Sequence, residues 1–133
     1  MAKKRVLLVE DNDRVRDFYA EEIALAGYDV VTAVDGADAL RKVRKGRPDV
    51  IVLDIAMPEK TGLEFLSELA GVDGSIPVIV NTAYPHFKFD FRSIRAAAWL
   101  TKSSNPDKLL AAIGRAAAGE NGNASISEEE DHE

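Results

Sequence analysis

The sequence predicts an α/β domain built on a doubly wound parallel sheet of five strands. Three observations predict it. Short apolar runs alternate with segments of helical spacing five times over, one central run is β-branched with no polar alternation, and glycine or proline marks the junctions.

The first run, 6–9, is Val-Leu-Leu-Val and closes on Glu10-Asp11. In residues 14–26, Val15, Phe18, Tyr19, Ile23 and Ala26 follow steps of three and four, so a helix is predicted, and Gly27 stands where it stops. The second run, 28–33, leads into a helix over 37–45 through Ala39, Leu40 and Val43, with Gly46 after it. The third run, 50–53, is the pattern of a strand covered on both faces, and Asp54 follows directly. Leu63, Phe65, Leu66 and Leu69 mark a helix in 62–70. Runs at 78–80 and 97–100 supply the last two strands. Between them, Phe87, Phe89 and Phe91 alternate with Lys88 and Asp90, while Phe87, Phe91 and Ile94 stand at helical spacing. A helix over 86–95 is the better choice, because parallel neighbours need a crossover. The final helix, 106–118, carries Leu109, Leu110, Ile113, Ala116 and Ala117, with Asn105 as cap and Pro106 in its first position. Right-handed crossovers then place helices on both faces.

Hydrophobic residues make up 46% of the 133, enough for one domain's core. No apolar run approaches the length that spans a bilayer, and the four apolar residues after the basic start Lys3-Lys4-Arg5 are too few for a secretory signal. A soluble, cytoplasmic chain is expected, with no membrane partner. The absence of cysteine excludes disulfides, thiolate zinc and iron–sulfur clusters. The net charge is −6, but six of the 23 acidic residues lie from Glu120 onward and no Lys or Arg does, so residues 1–119 carry 17 of each sign. The expected organisation is one domain, 1–119, and an acidic, flexible tail, 120–133. No basic face suggests nucleic acid; Arg41, Lys42, Arg44, Lys45 and Arg47 read as a solvated helix face.

In such a sheet, ligands sit at the carboxyl ends of the strands. The residues that close the runs are Glu10-Asp11, Asp54, Asn81-Thr82-Ala83 and Thr101-Lys102-Ser103. Taken singly, each has an ordinary reading: Asp as a turn or helix cap, Thr82 as a turn hydroxyl, Lys102 as a solvated charge. Taken together, three carboxylates, a hydroxyl and an ammonium converge on one edge. Crowded carboxylates raise one another's pKa, and a divalent cation relieves them. Oxygen ligands without His or Cys favour Mg²⁺. A cation with a lysine suits phosphoryl transfer, and a carboxylate can itself be the nucleophile. Asp54, central in the sheet with Pro58 and Gly62 shaping the loop behind it, is the best candidate.

Val6-Leu7-Leu8-Val9-Glu10-Asp11-Asn12, Val52-Leu53-Asp54-Ile55-Ala56-Met57-Pro58, Gly62, Pro77-Val78-Ile79-Val80-Asn81-Thr82-Ala83 and Lys102 resemble the receiver domain of two-component response regulators, in its stand-alone, chemotaxis-regulator-like form. The likeness covers about residues 4–118. It implies a flavodoxin-like fold of strand order 2-1-3-4-5. It implies that Asp54 is the phosphoacceptor. Asp11 and Asp54 would hold Mg²⁺ directly (Mn²⁺ being the alternative ion), with the main-chain carbonyl of Ala56, and Glu10 would act through water. Lys102 would pair with the phosphoryl oxygens, Thr82 would hydrogen-bond the phosphoryl group, and the small Ala83 would leave room for it. Trp99 falls where the family has the Tyr or Phe that turns inward on activation. Ala56 and Tyr84 occupy positions that tune phosphoryl lifetime. One departure is Ser103, where the family has a proline joined by a cis bond; for a non-proline residue cis costs roughly 2.5–4 kcal/mol, and a trans bond would aim Lys102 differently.

The resemblance also implies a sensor histidine kinase or histidine phosphotransfer protein as phosphoryl donor. The downstream protein would dock on the face formed by 86–95, 97–100 and 106–118, where Phe89 is either an exposed contact or a buried neighbour-facing ring. With no output domain in the chain, output is expected by docking, self-association or onward transfer. The protein is expected to be a switch that catalyses its own phosphorylation and dephosphorylation, rather than an enzyme acting on other substrates. Two alternatives stand beside this. Asp11-Asn12-Asp13-Arg14-Val15 fits the signature of haloacid-dehalogenase-type phosphatases, with Asp11 as nucleophile and Asp13 as acid/base, but leaves Asp54 without a role. The other is a receiver-like interaction module that is never phosphorylated.

Overall fold

The computed structural model describes residues 3–54, 62–83 and 96–119. In chain order these form β1 (Arg5–Val9), α1 (Asp13–Leu25), β2 (Asp29–Ala33), α2 (Gly36–Lys45), β3 (Val50–Leu53), α3 (Gly62–Asp73), β4 (Val78–Thr82), β5 (Ala98–Thr101) and α4 (Asp107–Ala117). All pairings are parallel, in the order β2-β1-β3-β4-β5, the order implied by the resemblance. The helix expected over 86–95, with Phe87, Phe89 and Phe91, lies outside the described residues, as do Ala56, Pro58, Tyr84 and the acidic tail.

Period-two alternation along each strand divides the core between the two faces. Leu7, Val9, Ile51, Leu53, Val78, Val80 and Trp99 point to one face, against Ala39, Leu40 and Val43 of α2 and Phe65 and Leu69 of α3. Val6, Leu8, Val50, Val52, Ile79, Ala98 and Leu100 point to the other, against Tyr19 and Ile23 of α1 and Leu109, Ala112, Ile113 and Ala116 of α4. Every residue of β3 is buried, which is why that run carries no polar position.

The element ends follow local chemistry. Asn12 caps α1, its side-chain oxygen accepting the Val15 N–H at 3.0 Å. At the other end Gly27 has φ +105°, a conformation that L side chains rarely adopt. α4 begins one residue later than expected: Pro106 is the cap residue, and the Asn105 side chain accepts the Asp107 N–H at 2.9 Å. α3 continues three residues past 70 and stops where the Asp73 carboxylate accepts the Ser75 N–H at 3.0 Å. β4 extends through Thr82 because its pairing with β5 continues to Thr101.

α2 is fixed at its start by two aspartates. Asp35 accepts the Asp38 N–H at 2.8 Å. Asp38 is buried and accepts the Val34 N–H at 3.1 Å, with Arg41 and Lys42 paired to it from the next turn. Lys42 also donates to the Thr32 carbonyl of β2 at 2.6 Å. The rest of the basic cluster is solvated or, like Arg47 with Asp73 at 2.9 Å, paired at the surface. Burial would push the Asp38 carboxyl up, but the Val34 N–H and the Lys42 and Arg41 charges outweigh it and hold its pKa below the ordinary aspartate value.

A folded pKa below the unfolded one means that the bonds of Asp38 contribute stability above the unfolded pKa and lose it as pH falls through the folded one. Asp38→Asn is therefore expected to cost about 1–3 kcal/mol at neutral pH. The gap to the parent should narrow in acid below the aspartate range. Urea unfolding at both pH values checks this; a gap that stays constant would refute the assignment.

Candidate functional site

The site forms where neighbouring strands end level with one another. Val9 of β1 pairs with Leu53 of β3. The next N–H, that of Asp54, donates to the Val9 carbonyl at 3.2 Å, and the Glu10 N–H donates to the Ala33 carbonyl at 3.0 Å. Glu10 and Asp54 therefore emerge side by side at the carboxyl edge of the sheet. On the far side of β4, Thr82 pairs with Thr101, and the Lys102 N–H donates to the Thr82 carbonyl at 2.9 Å.

From that anchor Lys102 reaches back over β4. Its ammonium lies 2.8 Å from Asp54 Oδ2 and 2.7 Å from Glu10 Oε1. Carboxylate oxygens of Glu10, Asp11 and Asp54 lie within 4.8 Å of one another. Glu10 and Asp54 are 2% and 6% exposed, and Asp11 is the outermost of the three. The second oxygen of Glu10 accepts the Asn12 N–H at 3.2 Å. Because Asn12 caps α1, neither Glu10 nor Asp11 is needed for that task, and the ordinary reading of the pair as a cap does not hold.

Electrostatics follow from this crowding. Burial raises the Glu10 pKa, and the Asp54 charge adds to the rise; Lys102 and the Asn12 N–H oppose it without cancelling it. Burial would lower the Lys102 pKa, but its bonds to Asp54 and Glu10 outweigh the loss and raise it. Three carboxylates against one ammonium leave an excess of negative charge in a partly desolvated pocket. An all-oxygen donor set with that excess fits a hard divalent cation.

α1 fixes both partners. Arg16 donates to the Glu10 main-chain carbonyl at 2.9 Å. One turn on, the Tyr19 hydroxyl donates to the Ser103 carbonyl at 2.9 Å and accepts the Ser103 N–H at 3.1 Å. No peptide bond among the described residues is cis, so Lys102–Ser103 is trans. From that backbone Lys102 still meets both carboxylates. Tyr19 and Arg16 are not legible as site residues in the sequence: Tyr19 sits at an ordinary core position of its helix, and nothing local marks a partner 84 residues away.

Thr82 is 2% exposed at the end of β4, and Ala83 beyond it is exposed. Trp99 is 5% exposed and points into the same face of the sheet as Val80 and Phe65. Asp13, the acid/base of the phosphatase alternative, is paired with Arg16 at 2.6 Å, has its side chain 83% exposed and does not join the three clustered carboxylates. No described helix is long and apolar enough to cross a membrane.

The family profile of the response regulator receiver domain matches residues 6–114. The transcriptional regulatory protein PrrA of Mycobacterium tuberculosis is 44% identical over 79 residues, 59% of this chain and 34% of that protein. The chain thus spans about a third of the length of such curated relatives. Among solved structures, the response regulator TrrA of Thermotoga maritima in complex with Mg²⁺–BeF superimposes with a TM-score of 0.80 at 35% identity, over 85% of this chain and 98% of that one. TrrA in complex with the histidine kinase ThkA gives 0.77 at 35% identity, over 85% and 97%.

Removing Lys102 strands two buried carboxylates. Lys102→Met is expected to lower the unfolding free energy by about 3 kcal/mol. Adding Glu10→Gln to it should recover part of the loss, because the two positions share one interaction. Chemical unfolding of the single and double variants measures this; a Lys102→Met protein as stable as the parent would show the cluster to be solvated.

Proposed function

Because the chain belongs to the response regulator receiver domain family, we propose that it is a signalling switch that accepts a phosphoryl group on Asp54 and reports it through contacts with another protein. The observation that carries this reading is the Lys102 ammonium bonded at once to Asp54 and Glu10, with Asp11 beside them. The donor is a phosphohistidine of a sensor histidine kinase or histidine phosphotransfer protein. The solved complex of TrrA with ThkA supports that class of donor for a similar chain. We place the reaction in the cytoplasm.

An Asp54 carboxylate oxygen attacks phosphorus. The P–N bond of the donor breaks as the O–P bond forms, and the electron pair of the broken bond returns to the imidazole. Asp54 is central and buried to 6% exposure, so the attacking oxygen is held at the strand end rather than swinging in solvent. Lys102 exchanges part of its contact with Asp54 for the arriving phosphoryl oxygens, and Glu10 keeps its ammonium in place. Bound by Asp11 and Asp54, with Glu10 through water and the Ala56 carbonyl, Mg²⁺ would neutralise phosphoryl charge; the complex of TrrA with Mg²⁺–BeF supports that choice of ion. Hydrolysis by water regenerates Asp54 and inorganic phosphate, so the switch resets itself.

Thr82 donates its hydroxyl to the phosphoryl group, in the room left by Ala83. Its shift biases a two-state equilibrium in which Trp99 follows. The altered surface, which includes β5 and α4, is the one presented to the downstream partner.

Acetyl phosphate with Mg²⁺ should label the protein at Asp54, not Asp11, as located by peptide mass spectrometry. Asp54→Asn should cut incorporation by at least about 100-fold, and chelation of the metal should abolish it. Thr82→Ala should still be labelled but lose the change in fluorescence of Trp99, the only tryptophan. Label on Asp11, or none with intact fold, would overturn the proposal.

A further inference from the structure

The ammonium of Lys102 is only as well placed as the backbone that carries it. On one side the Lys102 N–H is tied to Thr82 at 2.9 Å. On the other, the Ser103 peptide group leaves the sheet, and packing does not hold it. Ser103 and Ser104 are exposed. A cavity of about 400 Å³, with Tyr19, Asn81, Lys102 and Ser103 among its walls, lies beside the segment. A shallower groove lined by Phe18, Tyr19, Ser103 and Ser104 lies against it as well.

One hydroxyl holds the Ser103 main chain, while the Ser103 Oγ accepts the Asn105 N–H at 3.0 Å on the segment's far side. Tyr19 is 4% exposed, and its oxygen uses both its capacities on the same residue, donating to the Ser103 carbonyl at 2.9 Å and accepting the Ser103 N–H at 3.1 Å. The second bond exists only because residue 103 has an N–H, which proline lacks. The Tyr19 ring is in turn set edge-on against Phe18, with centroids 5.1 Å apart. Three residues earlier on α1, Arg16 holds the Glu10 carbonyl. A single helix therefore braces both ends of the Lys102–Glu10 ion pair. With its ammonium bonded to Glu10 at 2.7 Å and to Asp54 at 2.8 Å at once, Lys102 has little slack to take up a drift of its backbone.

We propose that Tyr19 is a positioning residue for phosphoryl transfer, which acts by clamping the Ser103 peptide and so aiming Lys102 at Asp54. The inference rests on the receiver reading of the site. Tyr19 touches neither the carboxylates nor the phosphoryl group, and its effect passes wholly through Lys102.

The test is a double-mutant cycle on the full chain. Rates of Asp54 labelling are measured at saturating acetyl phosphate and Mg²⁺ for the parent, Tyr19→Phe, Lys102→Ala and the double variant, with Mg²⁺ affinity taken by calorimetry. Tyr19→Phe removes one oxygen and keeps the ring. It is expected to lower the maximal rate roughly tenfold while Mg²⁺ affinity stays within about twofold, since Glu10, Asp11 and Asp54 remain. In the Lys102→Ala background, Tyr19→Phe should change the residual rate by less than about twofold. A Tyr19→Phe protein as fast as the parent would overturn the proposal. So would equal slowing in both backgrounds, which is the mark of general destabilisation. If the parent itself takes no label on Asp54, the receiver reading fails and the clamp fails with it; the clamp fails alone only when the parent is labelled.

Discussion

The structure turns on one shared ammonium. Lys102 sits between Glu10 and Asp54 at ion-pair distance from each, and all three side chains are largely out of water. Removing charges from solvent is costly, and the cost is offset here only while the geometry is kept. Three strand ends, two helix contacts and one loop are arranged around that requirement. The arrangement explains why polar side chains occur at the carboxyl edge of a sheet whose interior is otherwise apolar.

The sheet supplies most of this without special devices. In the order β2-β1-β3-β4-β5, β1 and β3 are neighbours although 40 residues of chain separate their ends. Parallel register then sets residues 10 and 54 abreast. β4 adds Thr82, whose main chain anchors Lys102. α1 supplies the remainder through Arg16 and Tyr19, which lie one turn apart on the helix face turned toward the site. The same helix face buries Ile23 against the sheet, so the brace is as rigid as the core beneath it.

Much of this was readable from the residues alone. The unbroken Val-Ile-Val-Leu of β3 announced a central strand, and the polar residues closing each run announced the edge at which they would meet. What escaped was of two kinds. Element ends moved by one to three residues, because caps and pairing decide them: Asn12 opens α1 as its cap, and pairing with β5 prolongs β4. The Tyr19–Ser103 contact escaped for a different reason. Periodicity identifies Tyr19 as a core position but is blind to the destination of its hydroxyl, and the serine at 103 showed only as a departure from the family pattern. The segment 86–95, Ala56 and the acidic tail lie outside the described residues.

The contact between Lys42 and the Thr32 carbonyl has a bearing on how copies of this molecule behave toward one another. β2 is the border strand of the sheet, and its outward carbonyls would welcome a strand from a neighbour. The ammonium of Lys42 occupies one of them at 2.6 Å. An incoming strand would have to displace a cation already engaged with Asp38, and would meet its charge on approach. A side chain that at first sight only decorates α2 thereby acts as a guard against β-mediated aggregation.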